Sequence, residues 1–313
     1  MSLDFRSTLL AAGLLPRDVA PDGRWHRCPT EHKPKKRNGS WKLLPDGRTG
    51  FYCDWALDST VQVWHADDAA PVRQVDHAAI RAQREREWQA RVKATQGARE
   101  FWRGAQAIRE PHPYIAGKRL SQLGCSKLRV REGLLVVPAW RDPWLVSVQT
   151  ISAAGDKRFW PGASIKAGAY VLQRRRAAVT VFCEGLATGL AVFQSVPLAR
   201  VVVCFNTGNM LPVIEHMKPS GGAVIAADND HDTEDRTGVN PGLEAARCAA
   251  EALGVGVAYP QGIGGSDWAD ALAEWMEEPD PLTGRPGRTP HALIQRAILA
   301  KAALVRRPEE GGA

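Results

Sequence analysis

Two stretches, Val179-Thr-Val-Phe-Cys-Glu-Gly185 and Val224-Ile-Ala-Ala-Asp-Asn-Asp-His-Asp232, decide the fold. Each is a short apolar run of strand length and composition that ends in acids. In an open parallel sheet, ligands gather at the carboxyl ends of the strands. Glu184 is therefore expected to leave one strand, and Asp228 and Asp230 a neighbouring one, at the same edge. The alternation Asp228-Asn229-Asp230 turns two carboxylates to one side of an extended backbone. All-oxygen donors in that arrangement suit a hard divalent cation such as magnesium. A lone acid after a strand commonly caps the next helix, but Asp228, Asp230 and Asp232 crowded together repel one another unless a cation joins them. Glu184, Asp228, Asp230 and Asp232 are the expected metal ligands.

Outward from this centre, residues 177–262 alternate strand and helix. Strands are expected at 179–183, 200–204, 223–227 and 255–259, with helices at about 186–195, 208–217 and 241–253. Asn240-Pro241-Gly242 is a helix start, with Asn as cap and Pro in the first turn. The alternation predicts a Rossmann-like parallel sheet with right-handed crossovers. Residues 263–313 follow as C-terminal helices and a tail. Ser266 or Asp267 caps a helix reaching Met276, and a Pro/Gly/Arg loop spans Glu278 to Arg288. A last helix runs from about Pro290 to Val305, and Arg307 to Ala313 is expected to be disordered.

On the amino-terminal side, residues 111–176 read as an α+β subdomain: a short helical piece at Tyr114–Leu123, then strands at Gly133–Trp140 and Leu145–Ile151. Lys157, Arg158, Lys166 and Arg174-Arg175-Arg176 come just before the acidic centre, where they can face it across a cleft. Residues 76–110 form one long linking helix with an apolar stripe of Trp88, Val92, Thr95, Ala98, Phe101, Ala105 and Ile108. Glu110-Pro111-His112-Pro113 ends it.

Residues 1–75 make a small β-rich unit. Asp22-Gly23, Asn38-Gly39 and Asp46-Gly47 punctuate aromatic runs as hairpin turns do. Residues 24–48 carry eight basic side chains against Glu31 and Asp46, a net of +6 out of +7 for the chain. Trp25, Trp41, Phe51, Tyr52, Trp55 and Trp64 interleave with these cations. Most of the rings are expected in the core, with Lys33, Lys35, Lys36 and Arg37 on a mobile surface loop. Cations beside aromatics suit single-stranded nucleic acid. His26, Cys28, His32, Cys53 and His65 bring zinc to mind, but structural zinc sites show two tight ligand pairs and this spacing does not.

The bulk numbers bound the rest. A 313-residue chain with 44% hydrophobic content buries a good core and suggests two or three domains. No apolar run reaches membrane-spanning length, and the start lacks a signal-peptide pattern. Six scattered cysteines read as reduced thiols of a cytoplasmic protein.

Phe182-Cys-Glu-Gly followed by Asp228-Asn-Asp resembles the Toprim domain shared by bacterial-type primases, topoisomerases and some nucleases. Glu184-Gly-Leu-Ala-Thr-Gly, Phe205-Asn-Thr-Gly-Asn-Met and Ile225-Ala-Ala-Asp-Asn-Asp are similar to primases of conjugative plasmids and satellite phages. So are the upstream segments His112-Pro-Tyr-Ile-Ala-Gly-Lys, Leu135-Val-Val-Pro and Gly155-Asp-Lys-Arg-Phe. The resemblance covers residues 110–270 and extends more loosely to the front. It implies a DNA-directed RNA polymerase that makes short primers from ribonucleoside triphosphates on single-stranded DNA, using magnesium or manganese. Glu184, Asp228 and Asp230 then match the catalytic acids, and Lys157, Arg158 and Lys166 the nucleotide-binding cations. Lys33, Lys35, Lys36 and Arg37 would hold template. The sequence lacks the Gly-x-x-x-x-Gly-Lys-Ser/Thr phosphate loop, so a replicative helicase is expected as a separate chain. A Toprim nuclease and a non-catalytic single-strand-binding protein are the alternatives.

Overall fold

The computed structural model describes residues 4–57, 60–66, 77–277 and 289–305. The expected loop at Glu278–Arg288 and the expected disordered tail lie outside them. The chain divides into two compact units, Met1–Trp88 and Gln89–Ala313. The fold is mixed α/β, with a β-rich first unit and a largely parallel sheet in the second.

In the first unit, Asp4 caps α1 (Phe5–Ala11) by accepting the Ser7 amide at 2.7 Å. Strands β1 (His26–Cys28), β2 (Gly39–Leu43), β3 (Thr49–Asp54) and β4 (Gln62–His65) form an antiparallel meander in chain order. Asp46-Gly47 turns β2 into β3, with Gly47 at φ 72°. Asn38-Gly39 is not a turn: Gly39 lies inside β2 opposite Cys28, where a Cβ would sit 2.8 Å from the Cys28 sulfur. Close packing, rather than hairpin geometry, explains that glycine. The core gathers Phe5, Leu9, Leu14, Cys28, Trp41 and Leu43. Trp25 and Trp55 are 49% and 48% exposed, so these two rings are surface features.

Helix α2 (His77–Gly104) is shorter at its end than the sequence pattern. Its expected stripe is buried only in the later half. Trp88 is 61% exposed, whereas Ala98 is fully buried and Phe101 and Trp102 pack against a cluster containing Val136, Leu145 and Val148. Three- and four-residue spacing puts side chains on one face of a helix without ensuring a surface to cover them. Then come β5 (Gln106–Ala107), α3 (Pro113–Gly117), β6 (Arg129–Arg131), β7 (Leu134–Arg141), β8 (Trp144–Ile151) and β9 (Lys157–Phe159). The five strands form an antiparallel sheet in chain order.

The second sheet is built from β10 (Tyr170–Leu172), β11 (Val179–Cys183), β12 (Ala199–Val203), β13 (Gly222–Ala226), β14 (Val257–Ala258) and β15 (Ala303–Leu304). Its order is β10-β12-β11-β13-β14, with β15 also on β13. β11 lies between β12 and β13, parallel to both, and every residue of β11 is buried. A strand covered on both faces has no need to alternate, which is why it reads as one apolar run. The helices are α4 (Leu186–Ser195), α5 (Thr207–Met217), α6 (His231–Thr237), α7 (Pro241–Leu253), α8 (Trp268–Glu277) and α9 (Thr289–Leu299). Helices α4, α8 and α9 cover one face with Leu190, Trp268 and Ile294, and α5 and α7 cover the other with Val213 and Leu243. The sequence pattern does not separate α9 from β15: the helix ends at Leu299, and the chain then pairs with the start of β13. Nor does it show β10 and α6. Among the described residues no helix is long and apolar enough to cross a membrane.

Candidate functional site

The parallel register sets the site. Cys183 pairs with Ala226, so Glu184 leaves β11 level with Ala227, one residue before Asp228 leaves β13. Gly185 caps α4 without a side chain, and a Cβ there would lie 3.8 Å from the Lys157 ammonium. The first turn of α4 thus stays uncovered where Lys157 reaches over from β9.

Asp228 accepts a hydrogen bond from the Thr188 hydroxyl of α4 at 2.6 Å. Burial pushes its carboxyl up to about 7. The Thr188 bond and Lys157 oppose that rise, and the charges of Asp267 and Glu184 add to it. Asp228 keeps part of its surface in solvent even though its carboxylate is hemmed in by protein. Glu184 is likewise raised, first by burial and then by Asp230, against the pull of Lys157. Glu184, Asp228, Asp230, Asp267 and Lys157 therefore share one electrostatic environment.

Between them, Asn229 points elsewhere. Its amide donates to the Pro260 carbonyl at 3.0 Å, and its oxygen accepts from Asn240 at 3.1 Å. Holding Asn229 in this way fixes the turn that carries Asp228 and Asp230. Asp230 caps α6, accepting from the Thr233 amide at 3.3 Å and hydroxyl at 2.8 Å. Asp232 sits in the first turn of α6 with its side chain 84% exposed and pairs with His231 at 3.6 Å. No described interaction brings it to Glu184 or Asp228.

A second acidic pair reads in the sequence only as a helix start. Asp267 does cap α8, accepting the Ala269 and Asp270 amides at 2.8 Å each. Its other oxygen, together with Asp270, receives the Lys118 ammonium at 2.9 and 2.6 Å. Burial works against charge on Asp270, but Lys118 outweighs it and holds that carboxyl below the usual range. Tyr114, one turn before Lys118, is pushed up to about 12 by burial and then by Asp267. Trp268, fully buried, donates to the Ala227 carbonyl at 3.1 Å and locks this stretch beneath the end of β13. The available signal was positional: Asp267 and Asp270 follow β14 at the edge where the other acids follow β11 and β13.

The remaining candidates stand apart. Arg158 and Lys166 are exposed, and Arg158 alternates with Lys157 along β9 onto the other face. Lys33, Lys35, Lys36 and Arg37 lie exposed on a turn of the first unit. That turn is closed by the Lys33 and Lys36 amides, and Arg37 donates to the Arg27 carbonyl at 2.9 Å. Of the zinc candidates, Cys28 and Cys53 are buried, and His26 stacks on Trp41 and pairs with Asp22.

A hard cation suits this donor set in chemistry: Glu184, Asp228 and Asp230 offer only carboxylate oxygens, and two of them carry charge that burial and neighbouring acids disfavour. Among the described residues, however, no three acids, imidazoles or thiolates are drawn together tightly enough to form a ready-made cage. Asp228 is engaged by Thr188 and Asp230 by its cap.

Residues 179–276, the stretch holding all these acids, match the family described as the Toprim domain. The chain carries a Toprim domain. Around it, the similarity extends further. A DNA primase TraC of Escherichia coli is 31% identical over 258 residues, covering 76% of this chain and 24% of that protein. A second DNA primase TraC of Escherichia coli is 32% identical over 165 residues, 49% of this chain and 11% of that protein. The chain thus spans about a quarter or less of the length of the curated relatives it matches. The primase fragment of the bacteriophage T7 primase-helicase protein is 14% identical, with a TM-score of 0.39, over 80% of this chain and 94% of that one. That likeness is too distant to bear on function. The Toprim acids sit on rigid strand ends, the usual place for a site in an open α/β sheet.

Proposed function

We propose that this chain is the catalytic portion of a DNA primase, joining ribonucleotides into short primers on single-stranded DNA. The observation that carries the reading is the edge where Glu184 and Asp228 leave adjacent parallel strands beneath Lys157. It lies within a Toprim domain, in a chain similar to proteins named DNA primase.

Glu184, Asp228 and Asp230 would hold divalent magnesium or manganese, with Asp232 as an outer candidate. Bound there, the cation would neutralise charge developing on the transferred phosphate. The chain's own groups supply the rest. Lys157 lies over the acids and holds the triphosphate, while Arg158 and Lys166, exposed and apart from that edge, would hold the backbone of template or nucleotide beyond it. Glu184, its carboxyl raised and half-buried, is placed to take the proton from the attacking 3′-hydroxyl. Lys118 fixes the Asp267–Asp270 pair, and Trp268 fixes the strand end, so the edge is set before substrate arrives.

In this reading residues 1–75 grip the template, 76–110 link, 111–176 form the primase subdomain and 177–262 the Toprim core, with 263–313 as C-terminal helices and tail. Lys33, Lys35, Lys36 and Arg37 contact template phosphates. The partners are single-stranded DNA, ribonucleoside triphosphates and a replicative helicase, all in the cytoplasm. Zinc has no role.

The test incubates the protein with single-stranded DNA, four ribonucleotides and magnesium or manganese, and sizes the products on a gel. Short RNA products that require both template and metal support the proposal. Nicked DNA without RNA synthesis means a nuclease, and binding without either product means a non-catalytic protein.

A further inference from the structure

A cleft of about 910 Å³ opens in the second unit where the antiparallel sheet meets the β10 edge of the Toprim sheet. It is separate from the acids. Arg200, on its wall, is the second residue of β12 and pairs in register with Thr180, four residues before Glu184. At about 3.3 Å per residue, that places it about 13 Å back along the strands. The cleft has the size of the larger small-ligand sites, about 300–1,000 Å³.

Its lining is chemically one-sided. Lys127, Arg129 and Arg200 face it, and Asp142 is the one acid among the lining residues. Arg129 is already placed: it donates to the Trp102 carbonyl at 2.7 Å and stacks over that indole at 4.3 Å. That leaves most of its guanidinium donors in reserve. Arg200 differs. Its Nε is closed off from solvent without a hydrogen-bond partner, and its side chain forms no hydrogen bond or ion pair among the described residues. The guanidinium charge is thus offset by no carboxylate, and the part of the half-buried side chain that solvent reaches is left for an anion in the cleft. Trp140, 37% exposed, adds a flat apolar surface beside the cations.

We propose that this cleft is a second nucleotide-binding site, seating a base against Trp140 and its phosphate among Lys127, Arg129 and Arg200. The pairing of an aromatic face with a cluster of cations is what a nucleotide unit recognises. An acidic peptide would use the cations and leave the indole idle. The nucleotide belongs either to a single strand or to a free nucleoside triphosphate. The site stands on its own observations and survives whether or not the acidic edge makes primers.

The experiment uses the full chain and two photoreactive probes, an oligodeoxynucleotide bearing 5-iodouracil and 5-iodo-deoxyuridine triphosphate. Adducts are located by mass spectrometry. A covalent adduct on Trp140 is expected. An adduct from the oligonucleotide identifies a strand as the ligand, and one from the triphosphate alone identifies a free nucleotide. Lys127→Ala and Trp140→Leu alter exposed side chains and leave the core untouched; each should weaken oligonucleotide binding to this site about fivefold or more. Arg200→Gln should do the same. Adducts found only elsewhere overturn the proposal. So does displacement of the oligonucleotide by polyglutamate with Trp140→Leu binding unchanged.

Discussion

Asp228→Asn is the perturbation whose outcome the structure constrains most tightly. Burial, reinforced by Asp267 and Glu184, raises the Asp228 carboxyl from 3.8 to about 7. Between those values the folded chain binds a proton that the unfolded chain does not. The stabilising contribution is therefore fully present below about pH 4 and is lost as pH rises through about 7. The gap corresponds to roughly 4 kcal/mol at about 1.4 kcal/mol per tenfold. Because Asp228 keeps some solvent contact, about 2 kcal/mol is the better expectation. Asparagine carries no charge, and its amide oxygen still accepts the Thr188 hydroxyl. In chelator at about pH 8 the variant should thus be more stable than the parent by about 2 kcal/mol, with the difference vanishing towards about pH 4. Urea unfolding followed by circular dichroism across that range measures it. Adding magnesium should stabilise the parent more than the variant and narrow the gap. Primer synthesis should be abolished at every pH. A variant no more stable than the parent at high pH, or a gap that does not change with pH, refutes the reasoning.

Glu184→Gln should leave single-strand binding intact while lowering turnover about a hundredfold or more, read by parallel binding and primer-synthesis assays. Collapse of binding would make Glu184 a structural residue. Replacing Lys33, Lys35, Lys36 and Arg37 with Ala should lower the salt dependence of single-strand binding by about 0.7 in log–log slope for each phosphate the turn no longer neutralises. An unchanged slope in a salt titration removes the turn from the interface. Lys118→Met strands Asp267 and Asp270 beside each other, and thermal denaturation should show a loss of about 1–2 kcal/mol, tempered by the 30% exposure of the lysine. Gly189→Ala places a methyl 2.6 Å from a Val203 methyl group, so the urea midpoint should fall by the equivalent of about 1–3 kcal/mol.

The parallel core was legible because its strands are buried on both faces. Val179–Cys183 reads as a strand without any help from pattern, and the Asn240-Pro241 start places α7 at its observed first residue. The acids were legible for the same reason, since each follows such a run. What the sequence hid was contact at a distance. Lys118 meets Asp267 and Asp270 only because α3 is folded against the edge from which α8 starts, and nothing local in either segment signals the other. The long helix misled in the opposite direction. Its stripe was real, but among the described residues none covers Trp88 or Val92. Arg200 gave no signal at all, because an arginine near the start of a buried strand looks like an ordinary sheet-edge cation.

The family match ends at residue 276, but the sheet does not. Gly222 and Ala223 of β13 pair with Leu304 and Ala303, and Ile294 and Ile298 of α9 are fully buried against the face that carries Trp268. A fragment cut at 276 would leave part of β13 with unpaired backbone groups and an uncovered apolar face, a template for joining other chains. Anyone grafting this acidic edge into another scaffold has to bring residues 289–305 along. The transplantable piece of the molecule is longer than the recognisable one.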